Sequence, residues 1–169
     1  MDFRSRLTAE LPYLRRFARG LARDVSLADD LVQDCLERAL AKEHLYDPAR
    51  QLRAWLYAIL RNLHVSGLRR KGRAGVVKSV EDLAPEEEAV AGEQESTSGV
   101  RSIAEALDRL PDLHREIVLL VALEDMSYRE VAEILGVPVG TVMSRLSRGR
   151  AALRALLDSD ERPALRRVK

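Results

Sequence analysis

The stretch at residues 127–150, SYREVAEILGVPVGTVMSRLSRGR, decides the fold. Ser127 and Glu130 stand three positions apart ahead of an apolar run, the spacing of a capping box, in which two side chains satisfy the free N–H groups of a first helical turn. Val131, Ala132, Ile134 and Leu135 follow at helical spacing, and Gly136 and Pro138 then interrupt the chain. A second helix begins at about Val139. A capped short helix, a glycine turn and a further helix make a helix-turn-helix. Val131, Ala132 and Leu135 face inward, small Ala132 admits close approach, and Val142 and Leu146 form the buried pair of the second helix. Thr141, Ser144, Arg145 and Arg148 are left pointing outward near its N-terminal end, the end that enters a major groove and where arginine can take guanine. Residues 139–157 carry Arg145, Arg148, Arg150 and Arg154 and no acid. The competing reading is a plain helical hairpin with a solvated basic face; turn, caps and charge together weigh against it.

Working back from that motif, two more stripes appear: Ile103, Ala106, Leu107 and Leu110, closed by Pro111, then Leu113, Ile117, Leu120 and Val121. Before them, residues 72–100 lose all periodicity. Glu81, Asp82, Glu86, Glu87, Glu88, Glu93 and Glu95 have no basic residue between them, so this stretch reads as a flexible acidic tether, whose ends would average roughly 30 Å apart. Further back lies a second helical set. Leu11, Leu14, Phe17, Ala18, Leu21 and Ala22 share one face, with Gly20 weakening the last turn. Ser26 with Asp29 predicts the cap of the next helix, whose stripe is Leu31, Val32, Cys35, Leu36, Ala39 and Leu40. The polar break at 44–51, containing Pro48, separates it from a third helix over about 52–70 with Leu52, Trp55, Leu56, Ile59, Leu60 and Leu63 on one side. The expected fold is all-α: a three-helix bundle at 1–73, the tether at 74–100, a helix-turn-helix module at 101–158 and a disordered tail at 159–169. Each module is small enough to be marginally stable alone.

Composition excludes several function classes. Cys35 is the only cysteine, so there is no intrachain disulfide and no zinc cluster, and its place on an apolar stripe reads as a small core residue. No nucleophile–base pair, glycine-rich phosphate cradle or paired carboxylates appear; we expect no catalytic residue, no metal site and no cofactor, hence no enzyme. His44 and His64 lack ligand-spaced partners. No apolar run approaches the ~20 residues that span a bilayer, and no signal peptide opens the chain, so we expect a cytoplasmic protein without membrane insertion. The net charge of +1 hides segregation: residues 53–75 hold Arg53, Arg61, Arg69, Arg70, Lys71 and Arg73 without an acid. Such a helix suits phosphate neutralisation, although alone it is more often a solvated face. Trp55 and Tyr57 could stack on unpaired bases, but the spacing of Trp55 with Leu52, Ile59 and Leu63 places it in the core.

The run DDLVQDCLERAL at 29–40, followed by LRAWLYAILRNL at 52–63, resembles region two of the extracytoplasmic-function sigma factors. Residues 110–153, with LPDLHREIVLL and GTVMSRLSRGR, are similar to their region four. The resemblance implies a factor that brings core RNA polymerase to promoter DNA, aids its opening and is held by an anti-sigma factor. It also implies roles for single residues. Asp30, Leu31, Gln33, Asp34, Glu37 and Arg38 would dock on the polymerase. The 44–51 loop, with His44 and Tyr46, would capture a flipped base of the minus-ten element, while Arg61, Asn62, Arg69 and Arg70 line the opened strand and adjacent duplex. Thr141, Ser144, Arg145 and Arg148 would read the minus-thirty-five element. Met143 and Ala58 depart from the basic residues often found there, and Gly149 interrupts the last helix. Two alternatives are a stand-alone helix-turn-helix regulator and a sigma mimic that occupies an anti-sigma factor without touching promoters.

Overall fold

The computed structural model describes residues 2–74 and 98–160; the acidic stretch at 75–97 and the tail from 161 lie outside them. Among the described residues there is no strand. The chain runs through α1 (Phe3–Ala22), α2 (Val25–Ala41), a 3-10 turn (Glu43–Leu45), α3 (Leu52–Ala74), α4 (Ser98–Arg109), α5 (Asp112–Val118), a π-helical segment (Leu119–Leu123), α6 (Tyr128–Leu135) and α7 (Val139–Asp160).

The helix ends follow local chemistry. Asp2 caps α1 by accepting from the Ser5 N–H at 2.8 Å, and Asp24 caps α2 by accepting from Leu27 N–H at 2.7 Å. The expected cap at Ser26 is therefore displaced. Asp24 has the extended backbone that aims its carboxylate back into the turn, whereas Ser26 lies exposed inside the first turn. The capping box of α6 forms as read, with Ser127 and Glu130 reciprocally bonded. Gly136 ends α6 at φ 66°, a left-handed conformation that glycine adopts without strain.

In the first module, α1, α2 and α3 close on Leu14, Phe17, Ala18, Cys35, Ala39, Leu56, Tyr57 and Leu60, all fully buried. Burying each large apolar side chain contributes about 1.5–3 kcal/mol. Cys35 donates weakly to Leu56 O, and burial pushes its thiol up to about 12. The second module closes on Ala106, Leu110, Ile117, Leu120, Val131, Val142 and Leu146. Leu40, Ile103 and Leu113, expected on inner stripes, are instead exposed at the rims.

The two modules do not keep separate cores. One continuous buried cluster runs from Leu14, Phe17 and Leu60 to Ile117, Leu119 and Val142. Gly20 explains part of this: a Cβ there would lie 2.7 Å from Leu119 Cδ1, so the absent side chain lets the π-helical segment seat on α1. Gly149 likewise does not interrupt α7, which is continuous through it. A Cβ at Gly149 would fall 3.1 Å from Val118 Cγ2 and 3.3 Å from His114 O, so glycine there sets how closely α5 approaches.

Two alanine substitutions should therefore act in opposite directions. Gly67, in α3, faces open space, and Gly67→Ala is expected to stabilise by about 0.5–1 kcal/mol through helix propensity. Gly149→Ala gains the same propensity but meets α5, and is expected to lower the unfolding midpoint. Urea denaturation followed by circular dichroism separates the two; a Gly149→Ala midpoint above wild type would contradict the packing account.

Candidate nucleic-acid interface

The face expected to read bases starts where α6 ends. Val137 N–H donates to Ala132 O at 3.1 Å, and Thr141 N–H to Pro138 O at 3.0 Å, which turns the chain and starts α7 within a few residues. Buried Val142 and Leu146 fix the rotation of α7 against α6. That rotation leaves Ser144 and Arg148 exposed and Thr141 and Arg145 half-buried on the outer side. The Ser144 hydroxyl donates to Thr141 O at 3.1 Å, and the exposed Arg150 and Arg154 extend the positive surface along the helix. Of the four residues expected to read bases, all lie on the N-terminal half of α7.

The basic helix α3 divides. Asn62, Arg69, Arg70 and Lys71 are exposed, while the side chain of Arg73 lies outside the described residues. Arg53 is committed internally: its Nε donates to Glu10 Oε2 at 2.6 Å, and its guanidinium sits 3.4 Å over the Tyr13 ring. Arg61 is also engaged, donating from Nε to Glu116 Oε1 at 2.7 Å. Glu116 is almost fully buried, and that burial holds its carboxyl above the usual range against the opposing pull of Arg61.

Of the break between α2 and α3, His44 is exposed, but Tyr46 is not. The Tyr46 ring packs against Trp55 at 5.3 Å and Phe3 at 5.7 Å, and its hydroxyl accepts from Arg6 and donates to Arg50 O at 2.7 Å. In this conformation it cannot meet a base. Tyr57 is also corrected: it is fully buried against Phe17, and its hydroxyl donates to Glu124. On α2, Asp30, Gln33, Asp34, Glu37 and Arg38 form an exposed, mainly acidic face, with Gln33 donating to Glu37 at 3.1 Å. Leu31, expected among them, is buried, in keeping with its place on the apolar stripe of α2. Among the described residues no cluster of His, Cys, Asp or Glu could hold a metal, and no helix is long and apolar enough to cross a membrane.

Similarity to known proteins runs along both modules. The family described as "Sigma-70, region 4" matches residues 101–153, and the "Sigma2 domain of PhyR" matches residues 7–61. The ECF RNA polymerase sigma factor EcfG of Rhodopseudomonas palustris is 39% identical, across 94% of this chain and 87% of that one. The sigma factor RpoE of Bartonella quintana, solved with the anti-sigma factor NepR, is 36% identical with a TM-score of 0.77, covering 95% of this chain and 99% of that one. The anti-anti-sigma factor PhyR of the same organism, solved with NepR, shares the fold at 22% identity and a TM-score of 0.59, covering 88% of this chain and 49% of its own.

Sequence reasoning missed the residues that join the modules. Glu124 has no exposed side-chain surface and receives Arg16 through two bonds, Nε at 2.8 Å and Nη2 at 2.9 Å, besides the Tyr57 hydroxyl. The available signal was a glutamate at each end of an apolar run, Glu116 and Glu124 around IVLLVAL, where neither has a basic residue at helical spacing within its own element. Truncating Glu124 returns the half-exposed Arg16 to water but strands the buried Tyr57 hydroxyl, at about 1–3 kcal/mol. Glu124→Ala is expected to destabilise by about that amount, whereas Glu133→Ala, which removes only an exposed 3.8 Å pair with Arg50, should stay within about 1 kcal/mol. Equal midpoints for the two variants in urea would contradict the assignment.

Proposed function

The chain belongs to the extracytoplasmic-function RNA polymerase sigma factors, and from that premise we propose which of its surfaces perform which step. As a member of that family it is a DNA-binding initiation factor, not an enzyme. It seats on core polymerase and brings it to promoters in the cytoplasm. The module at 1–73 takes the polymerase and the minus-ten element, and the module at 101–158 takes the minus-thirty-five element.

The observation that carries this reading is the N-terminal half of α7. Ser144 and Arg148 are exposed, Thr141 and Arg145 flank them, and residues 139–157 contain no carboxylate, although Glu116 of α5 attracts Arg145. Arginine in that position can take guanine O6 and N7 together, while the first turns of α7 meet phosphate. Arg69, Arg70 and Lys71, exposed at the far end of α3, supply sequence-independent attraction to the backbone. His44, Asn62 and, once released, Arg61 serve the minus-ten side; Tyr46 joins them only if its loop rearranges. The acidic face of α2, with Asp30, Gln33, Asp34, Glu37 and Arg38, is the polymerase-docking surface.

Control by an anti-sigma factor follows from the relatives solved with such partners. The likeness of the first module to PhyR raises the alternative of a mimic that binds the anti-sigma factor alone. Identity favours the sigma factor, at 39% and 36% against 22% for PhyR. So do Asn62, Arg145 and Arg148, which a mimic has no use for.

Run-off transcription with core polymerase on a randomised promoter library tests the proposal. Transcripts sharing an upstream element support it; none, with retained binding to an anti-sigma factor, would establish the mimic. In the same assay Arg145→Ala should weaken the preferred upstream element by about 1–3 kcal/mol, with a smaller loss on scrambled sequence. Arg70→Ala should instead weaken all sequences alike and reduce the salt dependence of binding by about one charge.

A further inference from the structure

The break between α2 and α3 carries its own internal order. Tyr46 N–H donates to Glu43 O at 3.0 Å, Arg50 N–H to Asp47 O at 3.0 Å, and Ala49 N–H to the Asp47 carboxylate at 2.9 Å. Pro48 fixes one backbone angle among them. The Tyr46 hydroxyl then donates to Arg50 O at 2.7 Å and ties the two ends of the turn together. From residue 41 to residue 51 Tyr46 alone is buried. His44 and Leu45, the latter 61% exposed, stand outside while the anchor beside them lies within.

That anchor is held from α1. Arg6 Nη2 donates to the same hydroxyl at 2.8 Å, and its guanidinium carbon lies 5.2 Å from the centre of the Tyr46 ring. Phe3, one turn earlier on α1, meets Tyr46 at 5.7 Å and Trp55 at 6.3 Å between ring centres. Trp55 of α3 closes the triangle at 5.3 Å from Tyr46. Ring contacts of this kind tolerate sliding, whereas a hydrogen bond from a charged donor weakens steeply when misaligned, so it sets position. The pair of Arg50 with Glu133, both exposed and 3.8 Å apart, is too loose to hold the turn.

We propose that Arg6 is a positioning residue for minus-ten readout: through the Tyr46 hydroxyl it sets the 44–51 loop in its base-accepting form before DNA arrives, without touching DNA itself. The inference rests on the reading of that loop as a minus-ten surface. Tyr46 then acts from inside, as the anchor of the loop and not as a base contact. A loop already ordered loses little entropy on receiving a base. An untied one holds the right form for a fraction of the time, and its apparent affinity falls by that fraction. The loss is confined to the base that the loop accepts, because a wrong base gains nothing from the ordered form.

Arg6→Met and Tyr46→Phe each cut the tie, the second leaving the ring in place. Arg6→Lys keeps a donor, and Arg4→Met removes an exposed cation from the same turn of α1. Two readouts on the full chain decide the matter. One is deuterium uptake at residues 44–51 of the free protein; the other is run-off transcription from the selected promoter against its single-base changes in the minus-ten element. Both tie-cutting variants should take up deuterium faster in the loop and lose about three- to tenfold in discrimination at one minus-ten base, with the salt dependence of promoter binding unchanged. Arg6→Lys should recover most of both, and Arg4→Met should show neither change. Unaltered uptake in Arg6→Met and Tyr46→Phe, or faster uptake with discrimination intact, overturns the proposal. So does an equal loss on all sequences with a reduced salt slope, which makes Arg6 a phosphate contact. If the unmodified chain discriminates no minus-ten base, the minus-ten reading of the loop falls and the consequence proposed for Arg6 with it, while deuterium uptake still decides whether Arg6 ties the loop.

Discussion

A carboxylate with no access to water must be surrounded by donors, and Glu124 organises the molecule around that requirement. It sits just after the π-helical segment, in the turn that leads to α6. Its donors, Arg16 and Tyr57, come from α1 and α3 of the other module. Stranding it would cost several kcal/mol, comparable to a large part of a small domain's net stability. Wherever Glu124 is buried, α1, α3 and the second module are therefore held in one relation. Glu116, one element earlier, repeats the device with Arg61.

This constraint sorts the cations of the chain into two groups. Arg16, Arg53, Arg61 and Arg115 are spent on carboxylates, an aromatic face or carbonyl oxygens inside the fold. Arg69, Arg70, Lys71, Arg148, Arg150 and Arg154 stand exposed at the surface, with Arg145 half-buried beside them, on the far end of α3 and on α7. Only the second group can meet nucleic acid without rearrangement. The near-zero net charge conceals this division, since the acids at 81–95 offset the basic helices in the sum without neutralising their surfaces.

Periodicity, caps and turns made most of the fold legible. The stripes Leu14, Phe17, Ala18 and Leu21, and Val131, Ala132 and Leu135, are buried as read, and the capping box at Ser127 and Glu130 forms. These features are local, written within a few residues of one another. What could not be read was tertiary. Gly20 looked like a weak turn and is a contact point; Gly149 looked like an interruption and is a close approach between helices. Tyr46 and Tyr57 offered polar tips that suggested an outward role, yet each tip found a partner inside, Arg50 O for one and Glu124 for the other. Leu31 was placed both on the apolar stripe and, by resemblance, among the polymerase-docking residues, and burial decides for the stripe. The outward placement of Ser144 and Arg148 on α7 was legible because the buried pair Val142 and Leu146 fixes which side remains outside.

The central claim is that the buried carboxylates of Glu124 and Glu116 hold the two helical modules against one another. Energy transfer between one dye on each module, attached through Thr8→Cys and Ser159→Cys, reads this directly, because both positions are exposed and Cys35 is buried. The account predicts high transfer efficiency in the otherwise unchanged chain and a marked fall when Glu116→Ala and Glu124→Ala are combined. Low transfer in the otherwise unchanged chain, or an unchanged value in the double variant, would contradict it.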